Sequence, residues 1–208
     1  MRCTFDHLVV TAPTLESGAE YVRQALGVRP GPGGRHPRMG THNLLLRLSD
    51  AAFLEVIAPD PAAPRPDRPR WFGLDEPATL REPRLAAWVA RTETLRDCPP
   101  DVLDVVGSIE TMTRGEREWL ITIPADGGLP LGGAMPMLIE WQVPREPAGR
   151  GLPDAGCSLD RLVIRTLDRP AVAALHARAG LVATLGLSDG EPSLTAHVDT
   201  PQGPRRLG

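Results

Sequence analysis

The chain has 208 residues, 41% of them hydrophobic, and a formal net charge of −3, which suits one large domain or two small modules. All 23 basic residues are arginine, so chemistry that needs a lysine amine is excluded: Schiff bases, pyridoxal-phosphate anchoring and the lysine of a phosphate-binding loop. Scattered arginines, an acidic balance and 4% aromatic content argue against a nucleic-acid partner, and no apolar run approaches the roughly 18 residues that span a membrane.

Phe5 to Thr11 is an apolar, β-branched run closed by Pro13 and predicts a strand. Leu15, Ala19, Val22 and Leu26 recur at helical spacing after the capping residue Thr14, and Gly27 ends that helix. Arg29 to Gly40, rich in proline and glycine, reads as loop or edge strand, and strands follow at His42–Leu48 and Phe53–Ala58. Seven prolines between Pro59 and Pro83 make a stiff excursion, with Trp71-Phe72 placed to pin it to the body. A second unit runs through strand Leu85–Thr92, a helix after Pro99-Pro100, and strands Ile109–Thr113, Trp119–Ile123 and Met137–Val143. The last piece reads as strand Leu159–Ile164, helix Ala171–Ala179, and strands Val182–Leu187 and Ser193–Asp199. The expected boundaries are 1–60 and 84–145 for two modules, 61–83 for the proline-rich connection, and 156–208 for a C-terminal extension.

Two internal echoes support a duplicated β-α-β-β-β unit. Phe5-Asp6-His7-Leu8-Val9-Val10 is matched by Leu159-Asp160-Arg161-Leu162-Val163-Ile164, and Leu54-Glu55-Val56-Ile57-Ala58-Pro59 by Ile139-Glu140-Trp141-Gln142-Val143-Pro144. Cys3, Cys98 and Cys157 are widely spaced with no C-x-x-C pair, and the start lacks a signal-peptide pattern. A cytoplasmic protein with reduced thiols is expected.

Strand residues alternate faces, so Glu55 shares a face with Phe53 and Ile57, and Glu140 with Leu138 and Gln142. His7 also stands among apolar residues. An inward carboxylate needs a partner or a metal, and one histidine with two carboxylates is a legitimate divalent-metal set. The plainer alternative is that each glutamate pairs with an arginine and His7 hydrogen-bonds within the core. Gly186-Leu187-Ser188-Asp189-Gly190 fits the G-x-S-x-G pattern of a hydrolase elbow, but Glu191-Pro192 and a strand follow instead of a helix; a hairpin turn is expected there. His176 is expected at a surface or boundary.

The residues Asp6-His7-Leu8-Val9-Val10 with Leu54-Glu55-Val56-Ile57 resemble a module of the vicinal oxygen chelate superfamily. The run from Gly33-Gly34-Arg35-His36-Pro37-Arg38 through His42-Asn43, then Ala58-Pro59-Asp60-Pro61 and Trp71-Phe72-Gly73-Leu74, resembles its glyoxalase-like domain proteins more narrowly. The resemblance implies an α+β fold of paired β-α-β-β-β modules whose curved mixed sheets enclose a pocket, with the C-terminal β-α-β-β piece added. It implies a small-molecule substrate with adjacent oxygens, a divalent ion (Zn, Ni, Mn or Fe) held by His7, Glu55 and Glu140, and Glu55 or Glu140 as proton-transfer base in a lyase or isomerase. The fourth ligand would lie on Leu85–Thr92, where this chain has Ala86-Ala87-Trp88; His42 is the substitute candidate. Arg35, Arg38 and Arg47 are candidate anchors for an anionic substrate group, Arg47 equally a surface residue. His42 and Trp88 complete the candidate substrate-binding set. The missing ligand at Trp88 favours the alternative of a non-catalytic binding or resistance-type protein. A homodimer is the family habit.

Overall fold

The computed structural model describes residues 1–181 and 185–208. The β-branched run at the start forms strand β1 (Thr4–Thr11). Helix α1 (Leu15–Leu26) begins at Thr14, whose hydroxyl accepts from the Ser17 N–H at 3.1 Å, and ends at Gly27 in the left-handed conformation. Strands β2 (Gly31–His36), β3 (Thr41–Arg47) and β4 (Phe53–Pro59) complete the first module. The second contains β5 (Arg84–Arg91), α2 (Pro100–Val106), β6 (Ser108–Arg114), β7 (Arg117–Ile123) and β8 (Met137–Val143). A C-terminal piece adds β9 (Ser158–Thr166), α3 (Arg169–Arg178), β10 (Leu185–Asp189), β11 (Ser193–Thr200) and β12 (Gly203–Leu207).

The duplication is visible in the hydrogen-bonding order. Eight strands make one mixed sheet, β2-β3-β4-β1-β5-β8-β7-β6. In each module the first and last strands pair in parallel, β1 with β4 and β5 with β8, and the modules join where β1 and β5 run antiparallel. The sheet curls until its edges β2 and β6 approach each other. Arg38, in the 3-10 turn after β2, donates to the Thr111 carbonyl at 2.7 Å and pairs with Glu110 at 2.5 Å; Arg68 joins Glu110 from the other side at 3.1 Å. These contacts clamp the seam.

Alternation along the strands sorts residues into two cores. On the convex face, Leu8, Val10, Leu54, Val56, Trp88 and Leu138 pack with the helices and with the C-terminal sheet, which has the order β10-β9-β11-β12. The concave face is filled by Val9, Ile57, Ala87, Val89, Met137 and Ile139, together with Trp71, Phe72 and Leu74 of the proline-rich excursion. Trp71 pins that excursion as expected, its indole N–H donating to the Thr41 hydroxyl at 3.2 Å. Phe72 takes a positive φ of 58°, a costly conformation for a bulky residue, and the Gly73 N–H is tied to the Gly127 carbonyl at 2.8 Å.

Two expectations are corrected. Strands β10 and β11 flank β9 on opposite sides, so the turn after Ser188-Asp189 is no hairpin. Of the expected strand Val182–Leu187, residues 182–184 lie outside the described residues and Leu185–Leu187 belong to β10; β12 was not foreseen. His176 is buried, its Nε2 lying 2.9 Å from the Ala134 carbonyl and its ring edge-on to Trp88. Among the described residues no helix is long and apolar enough to cross a membrane.

Helix α1 sits close to β4 because Gly18 has no side chain: an added Cβ would overlap a Val56 methyl and come within 2.9 Å of the Ala12 Cβ. Gly18→Val is therefore expected to lower the unfolding free energy by about 1–3 kcal/mol, the cost of overpacking a filled core, as read from urea denaturation. An unchanged midpoint would show that the helix can retreat freely.

Candidate functional site

The polar centre of the concave face starts at a defect in β1. Phe5 pairs with Ala90 and His7 with Val89, so Asp6 is one extra residue against β5. Such a bulge breaks the strict alternation of side chains and re-aims them. It lets neighbouring side chains meet: the Asp6 carboxylate lies 2.6 Å from His7 Nδ1. Asp6 is fully buried, and its second oxygen accepts from the Trp141 indole at 3.0 Å and faces Arg91 at 3.5 Å. Asp6 thus accepts a hydrogen bond from the Nδ1–H, which leaves Nε2 facing the cavity.

His7 Nε2 faces Glu55 Oε2 across 3.6 Å, an ion-pair distance longer than a hydrogen bond. The imidazole stacks on Phe53, its neighbour across β1 and β4, with centroids 4.4 Å apart. Glu55 Oε1 accepts from the Asn43 amide at 2.5 Å, and Asn43 Oδ1 accepts from the Gly34 N–H at 2.7 Å, which fixes the amide's orientation. Gly33 is glycine for a spatial reason, since a Cβ there would overlap the Asn43 carbonyl group.

Burial alone would pull His7 below its ordinary value. The hydrogen bond and charge of Asp6, with Glu55, overcome this and raise it to about 9. Burial pushes Glu55 the other way, and His7, His36 and Asn43 bring it down to about 2. Both residues are about 95% buried, so this is a sealed imidazolium–carboxylate pair. His36 behaves oppositely: burial, with the Arg114 charge against it, lowers it to about 4 and keeps it neutral. Arg114 donates to His36 Nε2 at 3.3 Å, leaving the Nδ1 proton for the Thr41 hydroxyl at 3.2 Å.

These groups line a cavity of about 40 Å3 with Trp71, Phe72, Trp119, Ile121, Ile139 and Trp141, room for a few water-sized groups. Trp119 and Trp141 face each other across β7 and β8 with centroids 5.7 Å apart. The first module supplies the acid–base groups; the second supplies indoles, aliphatic walls and one guanidinium.

Among the residues expected at the site, His7 and Glu55 come together and the others do not. Glu140 lies on the opposite face of β8 from Ile139 and Trp141, accepting from the Leu95 N–H at 2.7 Å and the Gln142 amide at 2.6 Å. Trp88 is in the convex core, donating to the Gly133 carbonyl at 3.2 Å. His42 faces away from the cavity, because its neighbours Thr41 and Asn43 on β3 point inwards. Arg35 pairs with Asp60 at 3.2 Å, Arg38 clamps the seam, and Arg47 pairs with Asp50. Asp6, Asn43, His36, Arg114, Trp119 and Trp141 were missed. Asn43 had a readable signal in its alternation with His42; Asp6 and Arg114 had none.

A divalent metal does not fit these residues. The ligand set that the resemblance implies draws on both modules, yet the concave positions of β5 and β8 carry Ala87, Val89, Met137 and Ile139. His36 Nε2 already accepts from a cation, and among the described residues no three histidine, cysteine or acidic side chains form a metal-binding group.

Paired β-α-β-β-β modules curled around a cavity define a protein of the vicinal oxygen chelate superfamily. The family model described as "Glyoxalase-like domain" matches residues 5–180, and the chain belongs to that family. No curated protein matches it. Among solved structures, a hypothetical protein from Staphylococcus aureus aligns at TM-score 0.59 and 10% identity, covering 92% of this chain and 87% of that one. A methylmalonyl-CoA epimerase in complex with methylmalonyl-CoA and NH4+ aligns at TM-score 0.43 and 13% identity, over 67% of this chain and 94% of that one. A mutant 4-hydroxymandelate synthase from Streptomyces coelicolor aligns at 0.40 and 13%, over 98% and 62%.

The charged pair links stability to pH. The raised value of His7 contributes stability that is full below about 6.5 and lost as pH rises through about 9. The lowered value of Glu55 contributes stability that is full above about 4.5 and lost as pH falls through about 2. The pair's contribution should therefore be level between those two unfolded values and decline on either side. Denaturant unfolding across the pH range should show this, and His7→Gln/Glu55→Gln should flatten both flanks. Asp6→Asn is expected to lower the His7 titration by roughly 1–3 pH units, followed through its imidazole NMR resonances; an unmoved titration would mean that Asp6 does not hold the proton.

Proposed function

We propose that the protein is a small-molecule enzyme that moves a proton at a carbon beside a carbonyl, an isomerase- or lyase-type step, with Glu55 as base and His7 as acid and no metal ligand set. The observation that carries this reading is the 3.6 Å gap between His7 Nε2 and Glu55 Oε2, both aimed into an apolar cavity. A ligand's reacting end that parts the two groups meets a carboxylate on one side and an N–H donor on the other.

The step balances within the pair. Glu55 takes the proton as the carbon–hydrogen bond breaks, and the electron pair moves to the carbonyl oxygen. His7 then donates its Nε2 proton to that oxygen, giving an enol with neutral imidazole and protonated Glu55. Return of the proton to carbon gives the isomer, and loss of a β-substituent gives elimination. Free Glu55 is a weak base because His7 holds it down; a ligand that separates the two leaves burial dominant, and burial raises a carboxylate. The basicity is thus generated by binding, where a base in the middle pH range works best.

The test is loss of carbon-bound hydrogen in deuterium oxide, followed by NMR for a panel of small carbonyl compounds. Glu55→Gln should lower the exchange rate by about 10²–10⁴-fold while changing ligand affinity, read from indole fluorescence, only a few-fold. Dialysis against a chelator should leave exchange intact. Binding without exchange for every compound would favour the second reading, a binding protein without turnover, which the walls of Trp71, Trp119 and Trp141 suit equally well.

A further inference from the structure

Arg114 has no role in the proton transfer, yet its placement is specific. It ends strand β6 and reaches into the cavity through the seam beside β2. The passage exists because residue 34 is glycine: a Cβ there would lie 2.9 Å from Arg114 Cδ and 3.1 Å from Nη1. Among the described residues no carboxylate lies within ion-pair distance of its guanidinium, although carboxylates partner Arg35, Arg38, Arg68, Arg70 and Arg91. Among the described residues its one hydrogen bond goes to neutral His36, whose other nitrogen is committed to Thr41.

The charges make the same point. His7 and Arg91 are matched by Asp6 and Glu55. Arg114 has no carboxylate in contact: it is half-buried in the cavity wall with Trp71, Trp119 and Trp141, and burial lowers it despite the attraction of Glu55 at longer range, with Arg117 adding like charge. A half-buried cation with no carboxylate in contact is costly unless something else brings an anion to it. Guanidinium offers five N–H donors in a planar fork that suits a planar carboxylate.

We infer that Arg114 is the receptor for a carboxylate on the ligand, which makes the substrate class of this cavity small carboxylic acids that also carry the reacting carbonyl group. The acid then lies between two fixed points, its carboxylate on Arg114 and its reacting end between His7 and Glu55. This deepens the proton-transfer reading and rests on it for the cavity being the ligand site. Arg114 is a binding and orienting residue and takes no proton.

Matched pairs of acid and amide test the inference: pyruvate against pyruvamide and isobutyrate against isobutyramide, titrated calorimetrically and by indole fluorescence. The unaltered protein should bind each acid on the order of tenfold or more tighter than its amide, the range of hydrogen bonds to a charged group. Arg114→Met should abolish the preference and Arg114→Lys should retain part of it, with circular dichroism and thermal unfolding checking both folds. In the unaltered protein, absent proton exchange with the preference intact would count against the proton-transfer reading alone. Equal binding of acid and amide by the unaltered protein, no binding of either acid at millimolar concentration, or a preference that survives in folded Arg114→Met would overturn the inference. The last result would move the anion to another cluster, such as the cleft lined by Arg2, Arg91 and Arg145.

Discussion

A histidine kept charged away from water is the constraint from which the rest of the site follows. Desolvating an imidazolium is unfavourable, and His7 tolerates it because carboxylates address both of its ring nitrogens, Asp6 at 2.6 Å and Glu55 at 3.6 Å. Each carboxylate then needs partners of its own. Asp6 recruits the Trp141 indole and Arg91; Glu55 recruits Asn43, which needs the Gly34 N–H and the missing side chain of Gly33. The chain of obligations runs from the middle of the sheet to its edge at β2. Removing one member leaves an uncompensated buried charge, a loss of about 3–5 kcal/mol in comparable pairs, so the set behaves as a unit.

The duplicated fold is used asymmetrically. Both modules have the same strand order, and both direct alternate residues of their first and last strands to the concave side. The first module places His7 and Glu55 there; the second places Ala87, Val89, Met137 and Ile139. Symmetric ligation across the two halves is therefore replaced by a polar half facing an apolar half. That division suits acid–base chemistry, because the apolar wall lowers the local dielectric and strengthens every charge–charge term opposite it. The proline-rich excursion completes the enclosure: Trp71 and Phe72 cover the cavity from a segment whose stiffness limits the entropy lost in holding them there.

How much of this was legible in the sequence depends on distance along the chain. The strands, the helix caps, the duplication and the inward face of Glu55 follow from periodicity within a few residues. Glu140 lies away from this cavity: the echo Leu54-Glu55-Val56 against Ile139-Glu140-Trp141 matches letters, whereas the facing of β8 is set by its register with β5 and β7, which turns Ile139 and Trp141 inwards. A one-residue change in facing reverses every side chain on a strand, and Trp88 and His42 likewise lie on the faces turned away from the cavity. Asp6 could not be found by alternation, since alternation is what its bulge suspends. An equivalent irregularity recurs in β9, where Arg161 pairs with His197 and Leu159 with Val198, leaving Asp160 extra. The first echo, Asp6-His7 with Asp160-Arg161, thus marks a shared backbone defect as well as shared residues.

The absence of lysine acquires a structural meaning beyond excluding amine chemistry. Arginine was the obvious neutralising partner for the inward glutamates, yet Glu55 is matched by a histidine and an amide, and Glu140 by a backbone N–H and Gln142. Carboxylates do take up Arg38 and Arg68 at the seam, Arg70 in the excursion and Arg91 at the base of β1, positions where a planar fork can bond two acceptors at once. Arg91, for example, reaches the carbonyls of both Phe5 and Ala51 while facing Asp6. Against that pattern Arg114 stands out by position as much as by chemistry. It enters where the sheet edges meet, and beyond its bond to His36 across the seam it lines the cavity with no carboxylate in contact. A guanidinium used structurally is saturated by the fold; one left with donors to spare inside an apolar enclosure is arranged for something that the chain does not itself supply.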